Sequence, residues 1–204
     1  MEAAESQRIE ARIRERFDAG DLREAATVAL RGYGPEIFGV LISLHRDESH
    51  AAEVFSVFTE RMWRGLPGFA WASSFRTWAY TIARNASRNH VAEQRVRAAV
   101  VPLPSGSELD GLVEQIRTET LSHLQSRVKD GFTRLREALA PDDQLLLVLR
   151  FDKEMAWGDI ARVLNEGEAP LDPAAEKRES ARLRQRCQTL KRLLLERARE
   201  AGLV

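Results

Sequence analysis

Residues Trp63 to Arg97 read WRGLPGFAWASSFRTWAYTIARNASRNHVAEQRVR. Six aromatic residues stand among six arginines in this stretch, and Glu93 is its one acidic residue. Arginine guanidinium groups neutralise phosphates, and aromatic faces accept unstacked bases. Aromatic residues at helical spacing are nevertheless more often core residues, and arginines more often form a solvated face. The composition therefore leaves two structures open, a packed helix and a helix that holds single-stranded nucleic acid.

The order of these residues is more specific than their composition. Phe69 is followed, at residues 73–85, by the run SSFRTWAYTIARN. This run resembles the promoter-melting segment of the extracytoplasmic-function sigma factors of the sigma-70 superfamily, whose typical pattern is F-x-x-x-S-S-[LF]-R-T-W-[LA]-Y-x-[IL]-A-R-N. The resemblance implies a segment that opens the −10 promoter element and holds an extruded base. It assigns contacts with the −10 element to Arg76, Trp78, Tyr80, Arg84, Asn85, Arg88 and Asn89.

A second helix is predicted immediately before this stretch. Asp47 starts the helix DESHAAEVFSVFTERMWRGL, in which apolar residues recur at helical spacing. The run resembles the sigma-factor helix, often written A-E-D-x-x-Q-E-x-F-x-x-x-W, that docks on the clamp coiled coil of core RNA polymerase. Glu53 and Trp63 are in register with this pattern, whereas Ser56-Val57 stands where Gln-Glu or Gln-Asp is common. The resemblance assigns polymerase docking to Glu53, Ser56, Thr59, Glu60, Trp63 and Arg64.

The N-terminal segment is predicted to form helices that precede the region of resemblance. Residues 6–30 read as two short helices, with a break at residues 19–21 and Asp21 as the cap of the second. The sequence GYGP at residues 32–35 predicts a turn, with Pro35 at the first position of a further apolar helix. No function is assigned to residues 6–30.

A change in composition after Arg97 predicts a domain boundary. Residues 98–111, AAVVPLPSGSELDG, contain two prolines, two glycines and two serines, which is typical of a flexible linker. The linker would join an N-terminal helical domain, residues 1–97, to a C-terminal domain, residues 112–204. Helical periodicity runs through both domains, and no segment shows a convincing strand pattern. The sequence therefore predicts an all-α fold of two helical domains, the C-terminal one a helix-turn-helix.

The C-terminal domain ends in a basic, glutamine-rich helix. Arginine can bond guanine and glutamine can bond adenine in the major groove, although basic C-terminal helices are also common as plain surface. The run WGDIARVL at residues 157–164, followed by this helix, resembles the sigma-factor region that reads the −35 element. The resemblance assigns the recognition helix to Arg182, Arg184, Gln185, Arg186 and Gln188.

The connection between these two helices is longer than in the family. It reads NEGEAPLDPAAEKRESAR, residues 165–182. Two structures remain open for it. Either the connection is a loop and the recognition helix begins near Ser180, or that helix begins early, at Pro173.

The formal net charge is zero, with 31 basic and 31 acidic residues, but the charges are not evenly distributed. Residues 61–97 carry seven arginines and one acid, and residues 176–204 carry nine basic residues and four acids. Residues 106–175 carry fourteen acids and eight bases. Two basic blocks separated by an acidic one favour a protein that holds DNA at two places.

Catalytic and metal-binding motifs are not evident. His45, His50, His90 and His123 are scattered and have no HExxH or HxxxH spacing, and a nucleotide-binding glycine loop is not found. The single cysteine, Cys187, excludes an internal disulfide and a cysteine-rich zinc site. We therefore expect neither an enzyme nor a cofactor.

Two further features concern localisation. The sequence has no run of eighteen apolar residues, and its N-terminus is charged from the second residue, unlike a signal peptide. We therefore expect a cytoplasmic protein without a membrane span.

The resemblance implies a transcription initiation factor that binds core RNA polymerase, recognises −35 and −10 promoter DNA and promotes strand opening. Sigma factors of this type are often held by an anti-sigma factor, which would be a further partner. Two alternatives remain open. One is a stand-alone helix-turn-helix transcriptional regulator, which would leave the aromatic and arginine-rich stretch unexplained. The other is a helical protein-interaction adaptor that does not bind DNA.

Overall fold

The computed structural model describes residues 3–93, 108–125, 135–167 and 170–203. Within these ranges the chain forms helices, turns and irregular connections and no strand, which confirms the predicted all-α fold. The chain divides into two compact units, Met1–Ser126 and Arg127–Val204. No helix in the described part of the chain is both long enough and apolar enough to cross a membrane.

The first unit is a helical bundle built around one central helix. This helix, α2, packs against the four other helices described in the unit. Its side chains Ile37, Phe38 and Leu41 are completely or almost completely buried. The described helices are α1 (Ala3–Asp18), α2 (Leu22–His45), α3 (Glu48–Gly65), α4 (Phe75–Glu93) and α5 (Glu108–Gln125), with a 3-10 turn (Leu66–Gly68) after α3.

The predicted turn at residues 32–35 is wrong, because α2 continues through Pro35. The two glycines of the GYGP sequence are sites of close helix packing. A Cβ atom on Gly32 would lie 2.7 Å from Ile9 of α1, and one on Gly34 would lie 2.8 Å from Ile116 of α5. A proline inside a helix costs about 3 kcal/mol, and burial of α2 on several sides compensates for this cost.

The predicted cap at Asp21 is confirmed, and Asp47, predicted as the start of the next helix, caps α3. The Oδ1 atom of Asp21 accepts a hydrogen bond from the amide of Glu24 at 3.1 Å. The Oδ1 atom of Asp47 accepts one from the amide of His50 at 2.8 Å. These bonds satisfy amide groups that a helix N-terminus leaves without a partner. The apolar face of the run that begins at Asp47 is buried as its helical spacing predicts, with Val54, Phe55, Phe58 and Met62 on α3 and Leu66 in the 3-10 turn.

The boundary of the first unit differs from the predicted domain boundary. Helix α5 begins at Glu108, inside the segment predicted as a linker, and it packs on α2 and α3. Its side chains Val113 and Ile116 are buried there. Residues 112–125, which the sequence analysis assigns to the second domain, therefore belong to the first compact unit. Residues 98–107 of the predicted linker lie outside the described residues.

The second unit contains a helix-turn-helix. Its core includes Leu146 and Leu149 from the first helical segment, Ile160 from the second and Leu183 from the last. The described helices are α6 (Pro141–Leu147), which continues as a π-helical turn (Val148–Asp152), then α7 (Trp157–Val163) and α8 (Pro173–Glu200).

Helix α8 begins at the earlier of the two positions left open by the sequence. Asp172 is its N-cap, and the Oδ1 atom of this residue accepts a hydrogen bond from the amide of Ala175 at 2.7 Å. The additional turns also contact α7, because Nη2 of Arg162 lies 2.9 Å from Oε2 of Glu176. Glu176, in the added first turns of α8, thus links α8 to α7 through an ion pair.

A candidate nucleic-acid interface on two helices

The residues predicted to contact the −10 element divide into an exposed and a buried group. Asn85, Arg88 and Asn89 are exposed on α4. Their spacing of three and four residues places them on one face of the helix. This face combines a cation that can neutralise phosphate with amides that can form hydrogen bonds with bases.

Arg76 belongs to the buried group, with an exposed fraction of 9%. Its Nε donates to Oε1 of Glu36 at 2.8 Å and its Nη2 to Oε2 of Glu36 at 3.0 Å. Burial favours the neutral guanidine, but the carboxylate of Glu36 outweighs burial, and the pKa of Arg76 is raised. The prediction that Arg76 contacts DNA is corrected accordingly, because its guanidinium fastens α4 to α2 inside the bundle.

Three other predicted residues of α4 are also partly or wholly removed from the surface. Arg84 is only 3% exposed and Tyr80 only 2% exposed. Burial raises the pKa of Tyr80 well above its usual value. Trp78 is half-buried, and its ring stacks on Phe69 with 4.7 Å between centroids. Arg84 and Tyr80 are therefore core residues, and Trp78 contributes to both the core and the surface.

The residues predicted to dock on polymerase lie on α3, and most of them are accessible. Glu53 and Arg64 are exposed, and Ser56, Glu60 and Trp63 are half-buried. Glu60 and Arg64 form an ion pair, with 2.8 Å between Oε1 and Nη2.

Thr59 departs from this pattern because it is completely buried. Its hydroxyl donates to the backbone carbonyl of Phe55 at 2.9 Å. The prediction that Thr59 docks on polymerase is corrected for this reason. A threonine hydroxyl can donate its hydrogen bond to a backbone carbonyl of its own helix. A threonine can therefore be buried, and its residue type alone does not predict exposure.

Helix α8, the predicted recognition helix, presents all of its predicted DNA-contacting residues to solvent. Leu183, Cys187 and Leu190 form its buried stripe, and burial raises the pKa of the Cys187 thiol. The opposite faces remain accessible because α8 packs on α6 and α7 from one side. The exposed predicted residues are Arg182, Arg184, Gln185, Arg186 and Gln188.

The three arginines among them have different surroundings. Arg182 pairs with Glu179, with 2.7 Å between Nη2 and Oε1. Arg186 donates from Nε to Oδ1 of Asp143, at the start of α6. The guanidinium of Arg184 lies 5.8 Å from the ring centroid of Trp157. Within the described residues, no carboxylate pairs with Arg184, so it is the one of the three whose charge is open to phosphate or base.

A cluster of histidines was missed by the sequence analysis. His45 of α2, His50 of α3 and His90 of α4 meet, with ring centroids 5.7 Å apart for His45–His90 and 5.5 Å for His50–His90. The Nε2 atom of His45 lies 2.8 Å from the hydroxyl of Ser87. Burial lowers the pKa of His45, and the neighbouring imidazoles lower it further. Three histidines that are scattered along the sequence are therefore neighbours in the fold, while the side chain of His123 lies outside the described residues.

This cluster does not form a metal site. Throughout the described ranges, no group of three or more histidine, cysteine, aspartate or glutamate side chains is arranged to hold a metal ion. Histidines separated by 40 residues can be recognised as neighbours only from the packing of α2, α3 and α4.

Part of the candidate interface lies in a range that a family model matches. A family model described as Sigma-70 region 2 matches residues 29–97, a range that includes α3 and the described part of α4. The chain is also similar to the RNA polymerase sigma-H factor of Pseudomonas aeruginosa, with 25% identity over 154 residues. That alignment covers 74% of this chain and 79% of the relative. Residues 29–97 of this chain therefore match region 2 of the sigma-70 family, and this range carries α3 and the exposed face of α4.

Proposed function

We propose that the protein is an alternative sigma factor of the extracytoplasmic-function type. It would bind core RNA polymerase in the cytoplasm, recognise −35 and −10 promoter DNA and promote strand opening, with no catalytic step of its own. The observation that carries this proposal is the exposed face of Asn85, Arg88 and Asn89 on α4. This face lies within the range that matches Sigma-70 region 2.

Polymerase docking is assigned to α3. Its accessible polar side chains, Glu53, Glu60 and Arg64, lie opposite the buried apolar face of the helix. Trp63 is half-buried at the C-terminal end of α3, where an aromatic side chain can contribute a large contact area. Because the opposite side of α3 packs in the buried apolar core, the helix presents its polar side chains on a rigid support, which suits docking.

Strand opening is assigned to α4. Extruding a base from a duplex costs a few kcal/mol, and stacking that base on an aromatic side chain contributes about 1–3 kcal/mol. Trp78 is the half-buried aromatic residue on α4, and Asn85 stands two turns further along the helix. Arg88 lies one turn beyond Asn85, where its guanidinium can neutralise a phosphate of the bound strand. The three residues together offer stacking, hydrogen bonding and charge neutralisation along one helix.

Reading of the −35 element is assigned to α8. Arg184, Gln185 and Gln188 are exposed, and within the described chain none of them is held by a carboxylate. Arg186 and Arg182 have carboxylate partners that phosphate groups would have to displace. We therefore expect base discrimination to depend most on Arg184 and the two glutamines.

In vitro transcription tests this function. The purified full chain is added to sigma-free core RNA polymerase on sheared DNA from the source genome. We expect discrete new start sites that are lost in the Asn85→Ala and Arg88→Ala variants. Arg31→Ala is the matched control, because Arg31 is equally exposed but lies on α2.

Three other outcomes would contradict parts of the proposal. Start sites that persist unchanged in Asn85→Ala and Arg88→Ala would remove α4 from strand opening. Tight, salt-sensitive binding to duplex DNA without binding to core polymerase would favour the stand-alone regulator. Absence of DNA binding even at low salt, together with absence of core binding, would favour the adaptor.

A further inference from the structure

The first turn of α4 depends on a residue from outside the matched region. The first amides of a helix have no partner within the helix and need acceptors from elsewhere. The Oγ atom of Ser74 accepts from the amide of Thr77 at 3.0 Å. Glu10 of α1 accepts the other two amides, from Phe75 to Oε2 and from Arg76 to Oε1, both at 2.9 Å. A carboxylate more than 60 residues away in sequence thus caps α4.

Glu10 is itself held in place. The hydroxyl of Tyr33 on α2 donates to Oε1 of Glu10 at 2.8 Å. A negative carboxylate at a helix N-terminus also interacts favourably with the helix dipole. The cap therefore connects α4 to α1 and α2, and the position of α4 depends on both of these helices.

Helix α1 also holds the loop that leads into α4. Trp71 lies in this loop with φ of 56°, in the left-handed region that bulky residues rarely adopt. The guanidinium of Arg14 lies 4.6 Å from the Trp71 ring centroid, and the ring of Phe17 meets it edge-on at 5.6 Å. Such backbone conformations persist only where the surrounding structure holds them. Two residues of α1 supply that support from one side, and Phe69 supplies it from another.

We propose that α1 is a brace for promoter opening, with Glu10 as the positioning residue that fixes the first turn of α4. This proposal rests on the proposed function and gives a role to the helix that precedes the matched region. Arg14 and Phe17 belong to the brace because they hold Trp71 and the loop. Trp78 and Asn85 capture a base most effectively when they are already in position. If α4 must first be ordered, the cost of ordering it offsets part of the stacking energy.

Amide hydrogen exchange of the free protein tests the brace without polymerase. In Glu10→Ala, the amides of Phe75 and Arg76 should exchange about tenfold faster or more, because each loses a hydrogen bond to a charged acceptor. Glu15→Ala is the matched control, since Glu15 is an exposed carboxylate on the same helix. The amide of Phe38 in α2 reports on global unfolding, and in Glu10→Ala its exchange should rise by a smaller factor than that of the Phe75 and Arg76 amides. Unchanged exchange at Phe75 and Arg76 in Glu10→Ala would overturn the brace.

Transcription then separates positioning from general structural support. A promoter found with the wild-type chain is used in two forms, fully paired and with a mismatched, already open −10 element. Opening the duplex in advance removes the cost of unstacking. Glu10→Ala should therefore lower initiation about tenfold on the paired template and only about twofold on the open one, with core binding unchanged. Glu15→Ala should match the wild type on both templates.

The results of this experiment distinguish the two proposals. Equal losses on both templates, or loss of core binding, would show that Glu10 merely supports the fold and would overturn the brace. If no promoter were found with the wild-type chain, the proposed function would fail. The exchange measurement would still decide whether Glu10 positions α4.

Discussion

The two helices predicted to contact DNA, α4 and α8, differ in how closely the fold surrounds them. Helix α4 packs against α2 and α3, and Arg76, Tyr80 and Arg84 are absorbed into the bundle. Helix α8 packs on α6 and α7 from one side, and all of its predicted DNA-contacting residues remain exposed. Residue type therefore identifies accessible residues well on a helix packed from one side. On a surrounded helix it does not, because arginine and tyrosine can find partners inside the bundle.

The largest expected effect concerns a polar residue inside the surrounded helix. Arg76→Ala would leave the carboxylate of Glu36 buried without its bidentate partner. Breaking a buried pair in this way costs about 3–5 kcal/mol. Urea unfolding of the full chain, followed by tryptophan fluorescence, measures this loss, since three of the four tryptophans lie in the first unit.

Arg184→Ala is the comparison for that measurement. This exposed residue of α8 should change the free energy of unfolding by no more than about 0.5 kcal/mol. A double variant, Arg76→Met with Glu36→Gln, should recover part of the stability lost in Arg76→Ala. Equal stability of Arg76→Ala and the wild type would contradict the claim that Arg76 of α4 forms a buried ion pair, unlike the exposed Arg184 of α8.

The second prediction concerns close packing on the central helix. Gly34→Ala should leave the first unit less stable than Gly39→Ala does, because the new Cβ would lie 2.8 Å from the Cδ1 atom of Ile116 of α5, which would have to shift. Gly39→Ala on the same helix is the matched control, since its Cβ would meet Thr120 at an ordinary 4.0 Å. There the better helix propensity of alanine should stabilise the unit by up to about 1 kcal/mol. Thermal unfolding measures both, and a Gly34→Ala variant as stable as Gly39→Ala would contradict the observed packing of α5.

The third prediction concerns the helix packed from one side. Arg184→Ala should weaken binding of the polymerase holoenzyme to promoter DNA about tenfold, as expected for the loss of one base or phosphate contact. Arg182→Ala should have a smaller effect, because Glu179 already neutralises Arg182. Electrophoretic mobility shifts at fixed salt give both affinities. A larger loss for Arg182→Ala would contradict the assignment based on carboxylate pairing.

The smallest expected effect is a difference in acid sensitivity between the two units. All four histidines precede residue 127 and therefore belong to the first unit. Burial and the nearby His90 and His50 lower the pKa of His45, while Asp47 opposes them. The unfolded chain therefore binds a proton at a higher pH than the folded chain. The associated stability is present above the ordinary histidine pKa of about 6.5 and is lost as pH falls below it.

Thermal unfolding between about pH 7.5 and about pH 5.5, a window around the ordinary histidine pKa, measures this effect. A Trp157→Phe background restricts the tryptophan signal to the first unit. The midpoint should fall with pH in that background and fall less when His45 is replaced in His45→Asn. An identical fall in both proteins would exclude His45 as the source.

Part of this structure could be predicted from local sequence patterns. The caps at Asp21 and Asp47, the buried face of α3 and the exposed residues of α8 each depend on neighbours within a few turns of the same helix. Helical spacing and capping chemistry are sufficient to predict features of this kind.

The remaining features depend on tertiary contacts. The passage of α2 through Pro35 requires packing against α1 and α5, and the cap of α4 by Glu10 joins residues more than 60 positions apart. The partner of Arg76 and the meeting of His45 with His90 likewise depend on how helices are placed in the bundle. Local periodicity carries no information about such pairs, so they became visible only in the folded chain.

The central claim is that α4 opens promoter DNA while α8 only reads it. The most direct measurement places 2-aminopurine in the non-template strand of the −10 element and follows its fluorescence as the polymerase holoenzyme binds. We predict that the wild-type chain raises the fluorescence through unstacking, and that Asn85→Ala abolishes the rise while protection of the −35 element persists. Arg184→Ala should show the rise once the holoenzyme is saturating. A rise that survives in Asn85→Ala, or that Arg184→Ala abolishes at saturation, would contradict the division of roles between the two helices.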